Sequence, residues 1–192
     1  MSAAQAILQA AQWIAEADTL LIGTGAGMGV ASGIGTFRGI NAGVWPPLAR
    51  LGIDFSQMSN PKQFLKDERF AWSFWRFRYM AYTGSEPNEG YTILHRWARE
   101  KTDEYRARLA ATTTTSTTAA PSTDEHFRAF SFTSNIDGHW IASGFPETNV
   151  LECHGSVRYM QCQGAPNECD NQDIWPADGG VISSLVVRVI GS

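Results

Sequence analysis

The feature that most constrains this chain is a short apolar segment followed by a glycine-rich loop. Residues 20–22 are Leu-Leu-Ile, typical of a buried parallel strand, and glycine then recurs at alternate positions: Gly23, Gly25, Gly27 and Gly29. Glycine backbone can approach an anion closely, and the N-terminus of the helix expected next adds partial positive charge. We therefore predict a cradle for a dinucleotide pyrophosphate. A glycine-rich turn without a ligand is the alternative, since no frame of the common Gly-x-Gly-x-x-Gly fingerprint closes.

The composition predicts one globular domain over residues 1–192. Hydrophobic residues make up 43% of the chain and charged residues 18%, so it can bury a substantial core. The formal net charge of -4 argues against nucleic-acid and anionic-membrane partners, which are bound through basic surfaces. No apolar run approaches the ~20 residues that a membrane-spanning helix needs.

The N-terminus and the cysteines predict an intracellular location. No Lys or Arg precedes Arg38, which argues against a secretory or transit peptide. The three cysteines, Cys153, Cys162 and Cys169, are too few for a disulfide framework in a chain of this length. We therefore expect a reducing compartment, either the cytoplasm or the nucleus.

Helical patterns and a low-complexity stretch divide the chain. A helix capped by Ser2 is predicted before the first strand. Residues 57–108 are predicted to form a small helical module, with one helix over residues 60–82 that is buried on more than one side and another over residues 86–108. Residues 110–124 are rich in Thr and Ala, which predicts a flexible surface insertion without chemistry.

Two further strands are predicted after the insertion, and each leads to polar residues. The segment 130–133 leads to residues 134–137, and the segment 150–153 leads to His154. Ligands of open α/β sheets lie beyond the carboxyl ends of the parallel strands. We therefore predict an α/β fold with a partial, Rossmann-like parallel sheet, in which these residues meet the glycine loop around one pocket.

Three sequence clusters together resemble the sirtuin family of NAD-dependent protein deacylases. They are, in chain order, residues 25–28 with 32–34 and 37–38, then Thr133-Ser134-Asn135-Ile136-Asp137, and then His154-Gly155-Ser156. Their order and spacing resemble the family from about residue 5 to about residue 176. The resemblance implies NAD as the cofactor, an acylated lysine of a protein as the substrate, and nicotinamide and O-acyl-ADP-ribose as products.

The resemblance also implies roles for individual residues. Asn135 and Asp137 would be catalytic residues that line the nicotinamide pocket. His154 would be the general base on a ribose hydroxyl, which suits an imidazole because it exchanges protons near neutral pH. Phe37 would cover the reacting sugar, and Arg38 would help to position NAD. The implied cofactor-binding set is Gly25, Ala26, Gly27, Phe37, Arg38, Ser134, Asn135 and Asp137.

The chain departs from the family pattern beside these clusters. Gly35-Thr36 stands where the family usually has Pro-Asp, which removes a carboxylate expected near the nicotinamide pocket. Ser134 stands in place of the family's Gln, and the later pair His139-Trp140 stands in place of Leu-His. Some bacterial-type relatives resemble the Ser-Asn-x-Asp-Gly-His pattern of this chain, so these two departures carry less weight than the first.

Residues 157–180 resemble part of the family's zinc-binding segment. Cys162 follows His154 at the family spacing and Cys169 can be its partner, but no second cysteine pair follows. A closed zinc site is tetrahedral and needs four protein ligands. We therefore expect an incomplete site, in which zinc takes further ligands from elsewhere or is absent. Cys153 is expected to be a small buried hydrophobe.

The resemblance stops after Trp175-Pro176, and the family's second half is expected to be missing. Residues 179–190 predict one more apolar strand, and an apolar sheet edge left exposed would be prone to association. Three functions stay open: an NAD-dependent protein deacylase, a sirtuin-like protein ADP-ribosyltransferase, and a non-catalytic module that binds nucleotide or protein.

Overall fold

The computed structural model describes residues 1–36, 52, 55–112, 126–164, 168–178, 180 and 182. Helix α1 (Ala3–Glu16) is capped as predicted: Ser2 Oγ accepts a hydrogen bond from the Gln5 amide, and the Gln5 side chain accepts one from the Ser2 amide. The large apolar side chains of this helix are nevertheless exposed, by 69% for Ile7, 70% for Leu8 and 65% for Trp13.

The described elements after α1 begin with one strand and a run of helices, and the other strands follow. Strand β1 (Leu20–Thr24) leads into a 3₁₀ helix (Ala26–Ser32), which is followed by α2 (Phe55–Met58), α3 (Lys62–Lys66), α4 (Glu68–Thr83) and α5 (Glu89–Thr112). Then come β2 (Ala129–Thr133), α6 (His139–Ala142), a second 3₁₀ helix (Glu147–Asn149), β3 (Val150–Glu152), β4 (Tyr159–Gln161) and β5 (Ile174–Pro176).

The strands β1, β2 and β3 form a parallel sheet with β2 in the centre, which confirms the predicted parallel sheet. Thr24 pairs with Thr133, and Thr133 pairs with Glu152, so the three strands end level with one another. The segments that follow these strands therefore emerge at the same edge of the sheet, where ligands of such sheets bind.

One face of the sheet packs against α5 and α6. The buried cluster at this contact consists of Tyr91, Ala98, Ala129, Trp140 and Phe145. The ring of Trp140 lies edge-on to Tyr91 at 5.1 Å and to Phe145 at 4.6 Å, and its indole Nε1 donates to Thr24 Oγ1 at 2.9 Å. Burying each such aromatic side chain contributes about 1.5–3 kcal/mol. The cluster thus fixes α6 against the carboxyl end of β1.

The opposite face of the same sheet is exposed. Leu21 is 78% exposed, and Phe132 and Leu151, which pair across β2 and β3, are each 46% exposed. Alternation along the strands places these apolar side chains on one surface. Parallel sheets are normally covered on both faces, so this surface is unusual for its class.

The predicted single helix over residues 60–82 is wrong, because the chain breaks at Asp67. The Asp67 carboxylate accepts a hydrogen bond from the Phe70 amide at 3.0 Å and so caps α4, while α3 ends at Lys66. A short polar side chain at this position satisfies the first amides of a new helix and thereby favours a break.

Helix α4 is fully buried along one stripe, so the prediction of burial on more than one side holds only in part. Trp72, Trp75 and Tyr79 are half-buried, whereas Phe77 and Ala81 are exposed. The buried positions are Ala71, Phe74, Arg78 and Tyr82. Arg78 is buried because its guanidinium stacks on aromatic rings, 4.6 Å from the centroid of Tyr82 and 5.4 Å from that of Phe55.

Helix α5 runs into the predicted low-complexity insertion, since residues 110–112 are helical. Residues 113–125 lie outside the described residues, as does most of the predicted strand over residues 179–190. Within the part of the chain that the structure describes, none of the helices combines the length and the apolar character needed to cross a bilayer.

Candidate functional site

The candidate site is a cleft at the carboxyl ends of the three parallel strands. The glycine loop follows β1, residues 134–137 follow β2, and His154 follows β3. We call this the strand-end cleft. Its lining consists of Ala26, Gly29, Ile34, Gly35, Tyr82, Asn135, Ile136 and Asp137. The structure therefore brings together residues of the first and second sequence clusters.

Asn135 joins the two loops directly. Its side chain is buried, 5% exposed, and its Nδ2 donates to the carbonyl oxygen of Gly25 at 3.0 Å. Next to it, the Ser134 amide donates to Thr24 O at 3.1 Å, which extends the contact between the ends of β1 and β2. The side-chain amide of Asn135 thus holds the glycine loop against the second cluster.

Gly25 lies where these loops approach most closely. A Cβ atom at this position would stand 3.2 Å from Ser134 Oγ, tighter than an ordinary contact, whereas Gly27 has open space around the same position. Gly25 and Ser134 are half-buried, and Gly27 is exposed on the 3₁₀ helix. Close approach of backbone to a partner is a physical reason for glycine at the first position.

Asp137 is also buried, with only 4% of its surface exposed. Its Oδ1 accepts a hydrogen bond from the His139 amide at 2.9 Å, at the start of α6. Gly138 lies between them with φ +72°, and a Cβ there would stand 2.3 Å from Arg158 Nε. The turn that presents Asp137 to the cleft therefore requires glycine for two reasons, backbone conformation and space.

Tyr82 lines the cleft from the helical side, and Tyr91 is a second buried tyrosine, on α5. Burial raises the pKa of Tyr82, and the neighbouring Arg78 guanidinium, which donates to its hydroxyl, opposes this. Burial also raises the pKa of Tyr91, and the negative charge of Asp137 adds to the effect. Both phenols are therefore neutral at physiological pH, and they can donate a proton in a hydrogen bond without carrying charge.

His154 stands apart from the lining residues. It is exposed in the turn after β3, and it is not among the described residues that line the strand-end cleft. The Cys153 amide donates to Thr133 O at 2.9 Å, so the chain enters this turn directly beside the end of β2. Burial raises the pKa of Glu152, the residue before this turn. Phe37 and Arg38 lie outside the described residues.

A model of the Sir2 family matches residues 25–113, which include the glycine loop and the helices after it. NAD-dependent protein deacetylase 2 of Geobacillus kaustophilus (strain HTA426) is 31% identical over 172 residues, covering 85% of this chain and 54% of that protein. The chain belongs to the Sir2 family. NAD-dependent protein deacylase 2 of Pseudomonas syringae pv. tomato (strain ATCC BAA-871 / DC3000) is 25% identical, covering 87% of this chain and 55% of that protein. This sirtuin chain thus spans about half the length of the curated relatives that it matches.

Solved sirtuin structures share the fold of this chain. A mutant Sir2 homologue in complex with 2'-O-acetyl ADP ribose superimposes with a TM-score of 0.59 at 25% identity, covering 88% of this chain and 52% of that one. A Sir2 homologue in complex with NAD gives a TM-score of 0.56 at 24% identity, covering 88% and 51%. These likenesses confirm the predicted α/β class with its Rossmann-like parallel sheet.

The segment expected to bind zinc contains no described metal site. Cys162 and Cys169 are half-buried and form no disulfide, and they lie on either side of residues 165–167, which the structure does not describe. Within the described ranges, no group of three or more His, Cys, Asp or Glu side chains could hold a metal ion. Two thiols do not fit a tetrahedral zinc site with four protein ligands. The prediction that Cys153 is buried is wrong, because the turn after β3 exposes it.

Sequence reasoning missed residues that position the site from a distance. Asn88 Nδ2 donates to Met28 O at 2.7 Å and to Ser32 Oγ at 3.0 Å, and so holds the 3₁₀ helix of the glycine loop. Its place directly after Glu86-Pro87 marks a helix start, which explains an asparagine without any appeal to the cleft. No pattern within the sequence connects residues 88 and 28.

Proposed function

We propose that this sirtuin-family chain carries the nicotinamide side of an NAD site and acts in NAD-dependent removal of acyl groups from lysine side chains of proteins. The observation that carries the proposal is the burial of Asn135 and Asp137 at the strand ends, with Asn135 bonded to Gly25 of the glycine loop. The names of the relatives, an NAD-dependent deacetylase and an NAD-dependent deacylase, support the same activity.

The residues present fit the nicotinamide side and the pyrophosphate of NAD. The backbone of Gly25, Ala26 and Gly27 forms the start of a helix directly after a strand, and amides in such a position favour an anion. A Cβ at Gly25 would crowd Ser134 Oγ, so glycine lets the loop backbone lie close to the second cluster. Asn135 and Asp137 would line the pocket for the nicotinamide.

The chemistry follows from what these side chains can do. NAD, when bound, supplies an ADP-ribose group whose bond to nicotinamide can be broken and replaced. Buried Asn135 and Asp137 would keep water from the nicotinamide side of that bond, which matters because water would otherwise compete with the acyl oxygen. His154 would accept a proton from a ribose hydroxyl, and its exposure allows it to pass that proton to solvent. The predicted roles of Phe37 and Arg38 stay predictions.

A non-catalytic nucleotide-binding function is the second candidate. It is favoured by the position of His154, which does not line the strand-end cleft with Asn135 and Asp137. A cleft that holds nicotinamide without a base nearby would bind NAD and turn nothing over.

Product analysis separates these functions. Purified protein is incubated with NAD and an acetyl-lysine peptide, and the mixture is examined by mass spectrometry beside a reaction without NAD. Formation of nicotinamide and O-acetyl-ADP-ribose is the expected result. A mass gain on a protein would indicate an ADP-ribosyltransferase instead. Heat of binding in calorimetry without any product would support the non-catalytic function, and the absence of both heat and thermal shift at millimolar NAD would overturn the proposal.

Association through the sheet is a further proposal. In the described sheet β1 and β3 are the outer strands, and both carry exposed apolar side chains, which favour association. A reducing compartment, either the cytoplasm or the nucleus, stays a prediction from the low cysteine content of the sequence. The net charge of -4 disfavours nucleic acid as a partner.

A further inference from the structure

A buried histidine connects the strand-end cleft to the helical part of the chain. His139 is fully buried, 0% exposed, at the first position of α6. Its backbone amide donates to Asp137 Oδ1 at 2.9 Å, and its ring Nε2 lies 3.2 Å from both the hydroxyl and the carbonyl oxygen of Ser85. Ser85 belongs to the connection between α4 and α5, which is 54 residues away in the sequence. His139 therefore contacts both the Asp137 turn and the connection between α4 and α5.

The hydrogen bonds around Ser85 assign the tautomer of His139. Ser85 Oγ donates to the carbonyl oxygen of Tyr82 at 3.0 Å, so its single hydrogen is already used. The Ser85 hydroxyl and carbonyl oxygens consequently both offer lone pairs to the histidine ring. Nε2 must carry the hydrogen, and Nδ1 then has no partner among the described residues. The ring acts as a donor to this connection through Nε2 alone.

The same connection holds the opposite wall of the cleft. Asn88, three residues after Ser85, binds the 3₁₀ helix of the glycine loop through Met28 O and Ser32 Oγ, and its Oδ1 accepts from the Gly90 amide at 2.9 Å. Residues 85–88 are thus bonded to the glycine loop on one side and to the Asp137 turn on the other. Residues 85–88 therefore set the distance between the glycine loop and the Asp137 turn.

We propose that His139 is a positioning residue that fixes Asp137 in the strand-end cleft by tying the start of α6 to Ser85. The inference rests on the proposed function, in which Asp137 lines the nicotinamide side of the NAD site. The turn needs such a support because Gly138, with φ +72°, gives the backbone before α6 a freedom that other residues would not allow. A leucine at this position could not make the bond to Ser85.

Two substitutions test the proposal. Both introduce a carboxamide side chain, and the two side chains differ in length by one methylene. In His139→Gln, the terminal amide nitrogen lies near the position of Nε2 and can donate to the Ser85 carbonyl. In His139→Asn, the amide is one methylene shorter and corresponds to Nδ1, so it cannot reach. Both variants lose the edge-on contact of the ring with Tyr91, at 5.6 Å, and they therefore share the packing cost.

Calorimetry compares the Kd for NAD with the Kd for ADP-ribose, which lacks nicotinamide. The asparagine variant is expected to weaken NAD binding about fivefold, the value of one hydrogen bond, while the Kd for ADP-ribose stays within about twofold. The glutamine variant is expected to stay near the wild type for both ligands. Equal weakening of both ligands in both variants would show that His139 acts through packing alone and would overturn the proposal.

Amide exchange measured by NMR decides the case without any ligand. If the bridge holds the turn, the amide of residue 139 stays protected in the wild type and in the glutamine variant and loses protection in the asparagine variant. Equal protection in the two variants would overturn the inference. A wild-type protein that binds neither NAD nor ADP-ribose would refute the proposed function, and the exchange result would still decide whether the bridge exists.

Discussion

The strand-end cleft and the cysteine-bearing segment over residues 157–180 are held by different parts of the fold. The cleft lies at the ends of three paired strands, whose register places the segments after β1 and β2 within hydrogen-bond distance of each other. The cysteines lie on turns beside the short pair β4 and β5, and the structure describes no third ligand near them. A site at strand ends inherits its geometry from the sheet, whereas a metal site depends on the number of ligands that the chain supplies.

The two regions are nevertheless in contact. The side chain of Arg158, at the start of the cysteine-bearing segment, lies against Gly138, the residue after Asp137, and the Val157 amide donates to Ile136 O at 2.9 Å. The first residues of this segment therefore support the cleft even though its thiols form no described metal site. The difference teaches that the segment can contribute to the cleft by packing, independently of any metal.

The largest expected effect comes from His154→Ala. Loss of the general base is expected to lower deacylation by roughly 100- to 10,000-fold, because proton transfer from the ribose hydroxyl would have to go directly to water. His154 is exposed and is not among the described residues that line the cleft, so the Tm and the Kd for NAD are expected to be unchanged. Product formation is followed by mass spectrometry. Activity that survives this substitution would remove His154 from the catalytic set.

Gly138→Ala is the next largest effect and tests the contact between the two regions. The substitution adds strain at positive φ and a Cβ that would stand 2.3 Å from Arg158 Nε. We expect a loss of about 2–4 kcal/mol in the free energy of unfolding, measured with urea. Gly33→Ala is the matched control, since Gly33 also has positive φ, at +79°, but open space around it, and should lose only about 1–2 kcal/mol. Equal losses of unfolding free energy in the two variants would mean that the Arg158 side chain moves aside without an energetic penalty.

Asn135→Ala is expected to weaken NAD binding about tenfold, because Gly25 O loses its donor and the glycine loop is no longer held against the second cluster. Asn149→Ala is the control. Asn149 Nδ2 donates to Ala129 O at 2.9 Å, at the other end of β2, so the control loses a comparable bond far from the cleft. Both variants should lose about 1 kcal/mol of stability, and only the first should lose affinity in calorimetry. A similar drop in affinity for both would refute the local role of Asn135.

The smallest effect is expected from Cys162→Ser combined with Cys169→Ser. Two thiols cannot close a tetrahedral zinc site, so the Tm should change little, and a chelator should leave the wild-type Tm unaltered. Elemental analysis of the purified protein measures the zinc content directly. Stoichiometric zinc, lost in the double variant together with stability, would show that ligands beyond the described residues complete the site.

The sheet and its strand ends could be predicted from sequence because the signals are local. Apolar runs predict the strands, and the polar residues after them can only emerge at one edge once the strands are parallel. The bridge between His139 and Ser85 could not be predicted, since no periodicity links residues that lie 54 positions apart. The burial of Arg78 could not be predicted either. A hydrophobicity scale treats Arg as polar and takes no account of a guanidinium that stacks on Tyr82.

Local competition explains the remaining errors. The predicted helix over residues 60–82 has a continuous helical pattern, but the Asp67 side chain competes for backbone amides and divides it. Cys153 has the composition of a strand residue, yet β3 ends one residue earlier and the turn exposes it. Both errors fall at element boundaries, where single side chains outweigh the average tendency of a segment.

The exposed face of the sheet can be changed by mutation without affecting the strand-end cleft. Leu21, Phe132 and Leu151 point away from α5 and α6, so they do not contribute to the packing that fixes Trp140 and the cleft. Replacing them with threonine or lysine should therefore improve solubility and leave nucleotide affinity intact. The same surface is a place where an engineered amphipathic helix could be attached, which would let stability be raised without altering the chemistry on the far side.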